Sequence, residues 1–285
     1  MMETRPLRLG IVPYLNVLPL IEGLEQRFPA DNWVRATPRE LAGLLANGEV
    51  DVATLPVFEA LRNGGGPMLL SGAAIACDGP VRSVRLFSRV PFQDIRRLLL
   101  DRSSLTSVHL ARLLCAQHLR IAPEYITSET PLGRDFDPAE AGCDAAVVIG
   151  DAALDREGTM PYELDFGAAW KELTGLPFVF AAWIVRPGAA ITPDDAQAFA
   201  AARERGEASA SEIAAREAHL HPRGAADLTR YLTEAIRFRL GERELEGIER
   251  FRRELISQGL IPSNSQPLSL HPSAAAALRA AIQTS

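Results

Sequence analysis

The stretch Leu7–Leu24, LRLGIVPYLNVLPLIEGL, constrains the fold more than any other part of the chain. Its apolar run Leu9-Gly10-Ile11-Val12 has the character of a strand buried on both faces in a parallel sheet. A polar elbow, Pro13-Tyr14-Leu15-Asn16, follows, and then Leu18, Ile21 and Leu24 recur at helical spacing. Pro19 suits only the first turn of a helix, where its missing N–H costs nothing, so a helix is predicted to begin near Asn16. A strand feeding a helix in this way aims free N–H groups and a positive dipole end at the sheet's carboxyl edge, where α/β proteins bind ligands. Asn16 is then either the helix N-cap or an amide beside an anion or carbonyl site.

The next residues repeat the grammar. Trp33–Ala36 reads as a strand, Thr37-Pro38-Arg39-Glu40 as a capping box with Pro at the first helical position, and Leu41, Leu44 and Leu45 as the buried face of the helix it opens. Glu49–Leu55 is a strand running into Pro56 and a short helix, Val57–Arg62. Gly64-Gly65-Gly66 is a turn, because it follows a helix and opens none. This β-α-β-α-β-α order predicts a parallel sheet.

Met68–Ala76 and Val81–Arg89 read as strands around a Cys77–Pro80 turn. A second α/β unit follows: a strand within Ile95–Leu100, a helix after Asp101–Ser107, and strands at Tyr125–Thr127 and Ala145–Ile149. Pro177–Arg186 is a second long apolar strand. Two long strands bracketing an α/β unit predict a two-stranded hinge, residues 81–89 and 178–186, between a lobe of 1–89 with 186–285 and a lobe of 90–185. From the cap Thr192-Pro193-Asp194-Asp195 onward the pattern is helical, with three helices interrupted at Pro222-Arg223-Gly224 and Gly241.

Composition narrows the function by exclusion. At net charge −6 with no basic run, nothing recommends nucleic acid. The three cysteines, Cys77, Cys115 and Cys143, are scattered and form no CxxC pair, which suits buried thiols in a reducing compartment. The start of the chain has no signal-peptide pattern and no segment is apolar over about 20 residues, so the expected location is the cytoplasm. Candidate bases are few: His109 falls within a helix, His118, His219, His221 and His271 are isolated, and no spacing suits a metal or a nucleophile pair. Asp151, at the end of a strand beside Gly150, is either the best-placed carboxylate or a helix cap.

Several stretches together resemble one family over residues 7 to 260. They are Gly10–Asn16 with Pro19-Leu20, Asp51–Pro56, Ser83–Leu86 with Ser88-Arg89, Ser103–Ser107, Ile149–Leu154, and Trp170 with Gly175–Ala181. They are similar to the chorismate dehydratases of the futalosine route to menaquinone. Pro13 departs from the pattern, since that family more often carries Ser there.

The resemblance implies a two-lobed α/β fold of the periplasmic-binding-protein type II kind, its helical C-terminal part packed on the first lobe. It also implies loss of water from chorismate to give 3-[(1-carboxyvinyl)oxy]benzoate, with no metal and no organic cofactor. A sister family, the 1,4-dihydroxy-6-naphthoate synthases, shares the fold and differs at the elbow. A non-catalytic cytosolic solute-binding protein is the third possibility.

A doubly anionic substrate is expected to be held by helix N-termini and neutral side chains. Asn16 is the candidate catalytic residue, with Tyr14, Pro56, Ser83, Ser103, Ser104, Thr106, Ser107, Gly150 and Asp151 as candidate substrate-binding residues. The serines of 103–107 alternatively form a capping run, and Ser83 alternatively faces solvent. The expected partner is a small dicarboxylate substrate, with neither nucleic acid nor membrane, for a monomer or homodimer.

Overall fold

The computed structural model describes residues 6–62 and 66–273. Gly64 and Gly65 of the expected glycine turn lie outside the described residues. Two five-stranded sheets organise the chain. The first has the order β2-β1-β3-β10-β4, from β1 (Leu9–Ile11), β2 (Trp33–Arg35), β3 (Val52–Pro56), β4 (Met68–Cys77) and β10 (Phe178–Val185). The second runs β7-β6-β8-β5-β9, from β5 (Val84–Ser88), β6 (Arg97–Leu100), β7 (Glu124–Thr127), β8 (Ala145–Ile149) and β9 (Tyr162–Asp165).

β1 pairs in parallel with β2 and β3, as the apolar runs predict, and β6 pairs in parallel with β7 and β8. Gly10 lies opposite Ala53, and a side chain at residue 10 would meet Ala53 Cβ at 2.8 Å and Leu41 Cδ2 at 2.9 Å. Its absence lets the helix Pro38–Ala46 (α2) pack on the sheet. Both anticipated capping boxes are present. The Thr37 hydroxyl accepts from Glu40 N, and the Thr192 hydroxyl accepts from Asp195 N at the start of a long helix, Pro193–Ala208.

The two long strands are not hinge strands. β5 lies between β8 and β9, and β10 lies antiparallel between β3 and β4, so each is wholly a member of one sheet. A strand crossing between lobes and a central strand share the same length and apolarity, and only pairing separates them. The chain instead passes between sheets through short irregular segments at 78–83 and 175–177. The expected strand over 81–89 is shortened to Val84–Ser88 because Asp165 accepts N–H bonds from Val81 (3.0 Å) and Arg82 (2.7 Å), which holds Arg82 at φ +63°. β9 was not anticipated, since its sequence, YELD, has one strongly apolar residue.

Among the described residues, the C-terminal part holds four α-helices rather than three: α7 (Pro193–Ala208), α8 (Ala210–Glu217), α9 (Gly224–Arg230) and α10 (Glu242–Ser257), with α7 and α8 parted at Ser209. α7 packs against the elbow helix, Leu18–Ile21 (α1). Gly206 makes that approach possible, because a Cβ there would run into the Pro19 backbone. Tyr231–Ala235 forms a wide helical turn, after which Arg237 and Phe238 bond to Ala76 and Ala74 of β4. The C-terminal helices thus sit on the first sheet, as expected, and also buttress the elbow.

Candidate active site

The carboxyl ends of the parallel strands of both sheets converge on one cavity. The elbow after β1 contributes Val12, Tyr14 and Asn16, the exit of β2 contributes Pro38, and β3 contributes Thr54 and Pro56. From the second sheet come Ile149 and Gly150 after β8, and Ser104, Thr106 and Ser107 between β6 and the helix Thr106–Leu114 (α4). Val81, Ser83 and Val84 from the crossover and Phe180 and Ala181 of β10 complete the wall. Eight of the ten expected site residues therefore meet at one place: Tyr14, Asn16, Pro56, Ser83, Ser104, Thr106, Ser107 and Gly150.

Two do not line it. Ser103 turns its hydroxyl and its N–H to Asp101 Oδ1, at 2.6 and 2.8 Å. Asp151 accepts the Leu15 N–H at 3.2 Å, so its carboxylate ties the second sheet's helix to the elbow of the first. Among the histidines, His109 stays outside the cavity, stacked on Phe58 with ring centroids 3.5 Å apart and Nδ1 2.8 Å from the Leu105 carbonyl. His221 is not isolated, contrary to what its place in the sequence suggests. Its imidazole is buried and lies 3.1 Å from Asp155, a pairing between residues distant in sequence that spacing does not reveal.

Among the described residues, no charged side chain lines the cavity. The elbow is a short 3-10 turn, Leu15–Val17, running into α1, and Asn16 caps nothing. Its side chain is buried, with Nδ2 donating to the Tyr231 hydroxyl at 3.0 Å and Oδ1 unpaired by any described protein group. At the other wall, Thr106 Oγ1 accepts the Phe58 N–H (3.2 Å) and Ser104 Oγ accepts the Ser107 N–H (3.2 Å). With a lone pair of each oxygen engaged, both O–H groups remain donors for an acceptor in the cavity. The positive end of the α4 dipole adds to this preference for negative charge.

The walls touch. Gly150 has φ +66°, and a Cβ there would lie 3.0 Å from the Tyr14 ring. The Thr106–Phe58 and Asp151–Leu15 bonds likewise join elements of the two sheets. Tyr231 is the functional candidate that the sequence does not betray. Leu228, Tyr231, Leu232 and Ala235 recur at helical spacing and read as an ordinary core face.

Burial raises the Asp151 carboxyl to about 6, against the pull of nearby His221 and the Leu15 N–H. A carboxyl raised in the folded state contributes stability that is complete below its unfolded value near 4 and is lost as pH rises through about 6. The thermal midpoint of the wild type is therefore expected to fall relative to that of Asp151→Asn between about pH 4.5 and about pH 7. Parallel curves would contradict the assignment. Among the described residues, no group of three or more His, Cys, Asp or Glu is placed to hold a metal ion, and no helix is long and apolar enough to cross a membrane. The three cysteines are buried and unpaired.

Comparison with known proteins gives this geometry a context. A protein from Archaeoglobus fulgidus superposes with a TM-score of 0.71 at 15% identity, covering 91% of this chain and 100% of that one. The periplasmic aliphatic sulphonate binding protein of Escherichia coli superposes at 0.61 with 15% identity, covering 94% of each. The fold is thus periplasmic-binding-protein-like. In sequence, the chorismate dehydratase of Thermus thermophilus is 30% identical over 244 residues, 76% of this chain and 85% of that protein. The profile of the menaquinone-biosynthesis family matches residues 7–256, and the chain, with its two sheets and shared cavity, belongs to that family.

Proposed function

We propose that this protein is a chorismate dehydratase, a hydro-lyase that converts chorismate to 3-[(1-carboxyvinyl)oxy]benzoate and water in menaquinone biosynthesis. Beyond the family, the observation that carries the reading is a cavity whose polar lining is hydroxyl and amide, without a charged side chain. Chorismate brings two carboxylates, a ring hydroxyl and its own drive toward an aromatic ring. Such a substrate needs orientation and a dry site more than acid–base power.

The residues take roles accordingly. Ser104 and Thr106 donate O–H groups to one carboxylate at the start of α4, with Ser107 beside them. Ser83 and the Asn16 amide, with its unpaired Oδ1, meet the ring hydroxyl that departs. Tyr14, Pro56 and Gly150 close over the ring. Since no carboxylate or imidazole among the described residues lines the cavity, the proton acceptor is the substrate's own enolpyruvyl carboxylate. The ring C–H beside the ether oxygen gives its proton to that carboxylate. Its electron pair forms the new ring double bond as the neighbouring C–O bond breaks, and the departing hydroxide takes up the proton as water.

The lobes that close over the substrate are residues 6–78 with 177–273, and residues 81–175, turning about the two short crossovers. Three buried, unpaired thiols suit a reducing cytoplasm. Incubation of the purified protein with chorismate, followed by ultraviolet absorbance and product identification, tests the reading. Stoichiometric formation of the benzoate supports it. Binding without turnover would mark a solute-binding protein, and inertness toward chorismate would favour the naphthoate synthase reaction.

A further inference from the structure

Tyr231 comes from the C-terminal helices to the back of the cavity wall. It is fully buried and opens the wide turn Tyr231–Ala235, a distortion of the helix that recurs at functional sites. Its hydroxyl accepts from Asn16 Nδ2 at 3.0 Å, and the Ser83 hydroxyl lies beside it. Both partners line the cavity, one from the elbow and one from the crossover, whereas Tyr231 lies behind them.

The bonds can be ordered. Ser83 Oγ lies 3.4 Å from the Val81 carbonyl, which can only accept. With Ser83 donating to Val81 and Asn16 Nδ2 donating to Tyr231, the Tyr231 O–H is left for the Ser83 oxygen beside it. Each O–H is used once, and Asn16 Oδ1, on a residue that lines the cavity, is left unpaired by any described protein group and so available to the substrate. Reversing the amide would put its NH2 in the cavity and withdraw the Ser83 proton from Val81.

We propose that Tyr231 is the positioning residue that sets which end of the Asn16 amide meets the substrate, so that Oδ1 accepts from the ring hydroxyl and holds it for departure. The identity of that hydroxyl rests on the dehydratase reading; the amide orientation does not. An amide carbonyl that only orients the hydroxyl contributes through placement, so the loss of Tyr231 falls on turnover rather than on binding.

Two measurements test this on the full chain. The chain has five asparagines, so 15N-asparagine labelling gives few side-chain amide signals, and Asn16→Ala identifies the one of interest. In the wild type, the Asn16 amide protons are expected to exchange with water at least about 100-fold more slowly than those of exposed Asn47 and Asn264. In Tyr231→Phe that protection is expected to drop at least about tenfold, with kcat down about 10- to 100-fold and KM changed less than about threefold.

A folded Tyr231→Phe protein with wild-type kcat would overturn the proposal. So would fast exchange of the Asn16 amide in the wild type, which decides the matter even if Tyr231→Phe does not fold. Protection lost in Tyr231→Phe, in a protein that does not turn over chorismate at all, would support the amide orientation and count against the dehydratase reading.

Discussion

Replacing Asn16 by alanine is expected to lower kcat by about 10²- to 10³-fold with KM changed less than about threefold, the signature of a hydroxyl no longer placed for departure rather than of lost binding. Asn16 lines the cavity and is buried, its Nδ2 is engaged by Tyr231, and its Oδ1 is unpaired by any described protein group. Truncation removes the one amide side chain among the described lining residues and leaves the Tyr231 hydroxyl short of a partner. The same mechanism expects little from the titratable neighbours. His109 is occupied by Phe58 and Leu105, and Asp151 by Leu15, so His109→Gln and Asp151→Asn should each cost less than about tenfold in kcat. Steady-state kinetics on chorismate reads all three. A tenfold or smaller loss at Asn16, with a loss of 10³-fold or more at His109 or Asp151, would place a protein base at the centre of the reaction and remove the substrate-assisted account.

Gly150→Ala is expected to lower kcat/KM by about 10²-fold or more, the cost of a wall misplaced by roughly 1 Å. Two effects combine at this position. The backbone lies at φ +66°, where a Cβ costs about 1 kcal/mol or more. The new methyl would also meet the Tyr14 ring at 3.0 Å. Tyr14 must then withdraw or the second sheet must back away, and either opens the cavity to water. Because Gly150 N also donates to the Ser83 carbonyl at 2.8 Å, the strain reaches a second candidate site residue. A paired variant Gly150→Ala with Tyr14→Leu should recover part of the loss if the clash with the ring is the cause. Wild-type kinetics in Gly150→Ala would mean that the two walls need not touch during turnover.

Much of this site was legible before the fold. The strand–elbow–helix at 7–24, the strand exits at Pro56 and Gly150 and the hydroxyl run at 103–107 are local signals, because a strand ending, a cap and a helix start each occupy a few neighbouring residues. Local signals also marked both capping boxes and most strands of the two sheets. They were silent on pairings. Asp165 closing around Val81 and Arg82, and His221 meeting Asp155, join residues 66 to 84 apart in sequence. The elbow helix was read as longer than it is, ending at Ile21 because Glu22 is extended and Gly23 turns left-handed.

What the amino-acid order determined by itself is the set of chain ends offered to a ligand: which strands stop where, and that the residues there are hydroxyls and an amide rather than charges. Which ends face one another was decided only in three dimensions, where β5 and β10 each joined a single sheet and the crossovers fell beside them. The same holds for Tyr231, whose hydroxyl counts only because packing brings it to Asn16 across 215 positions of chain. Periodicity reports the face a residue buries. The partner waiting there depends on how distant elements dock, and that information is spread over the whole core.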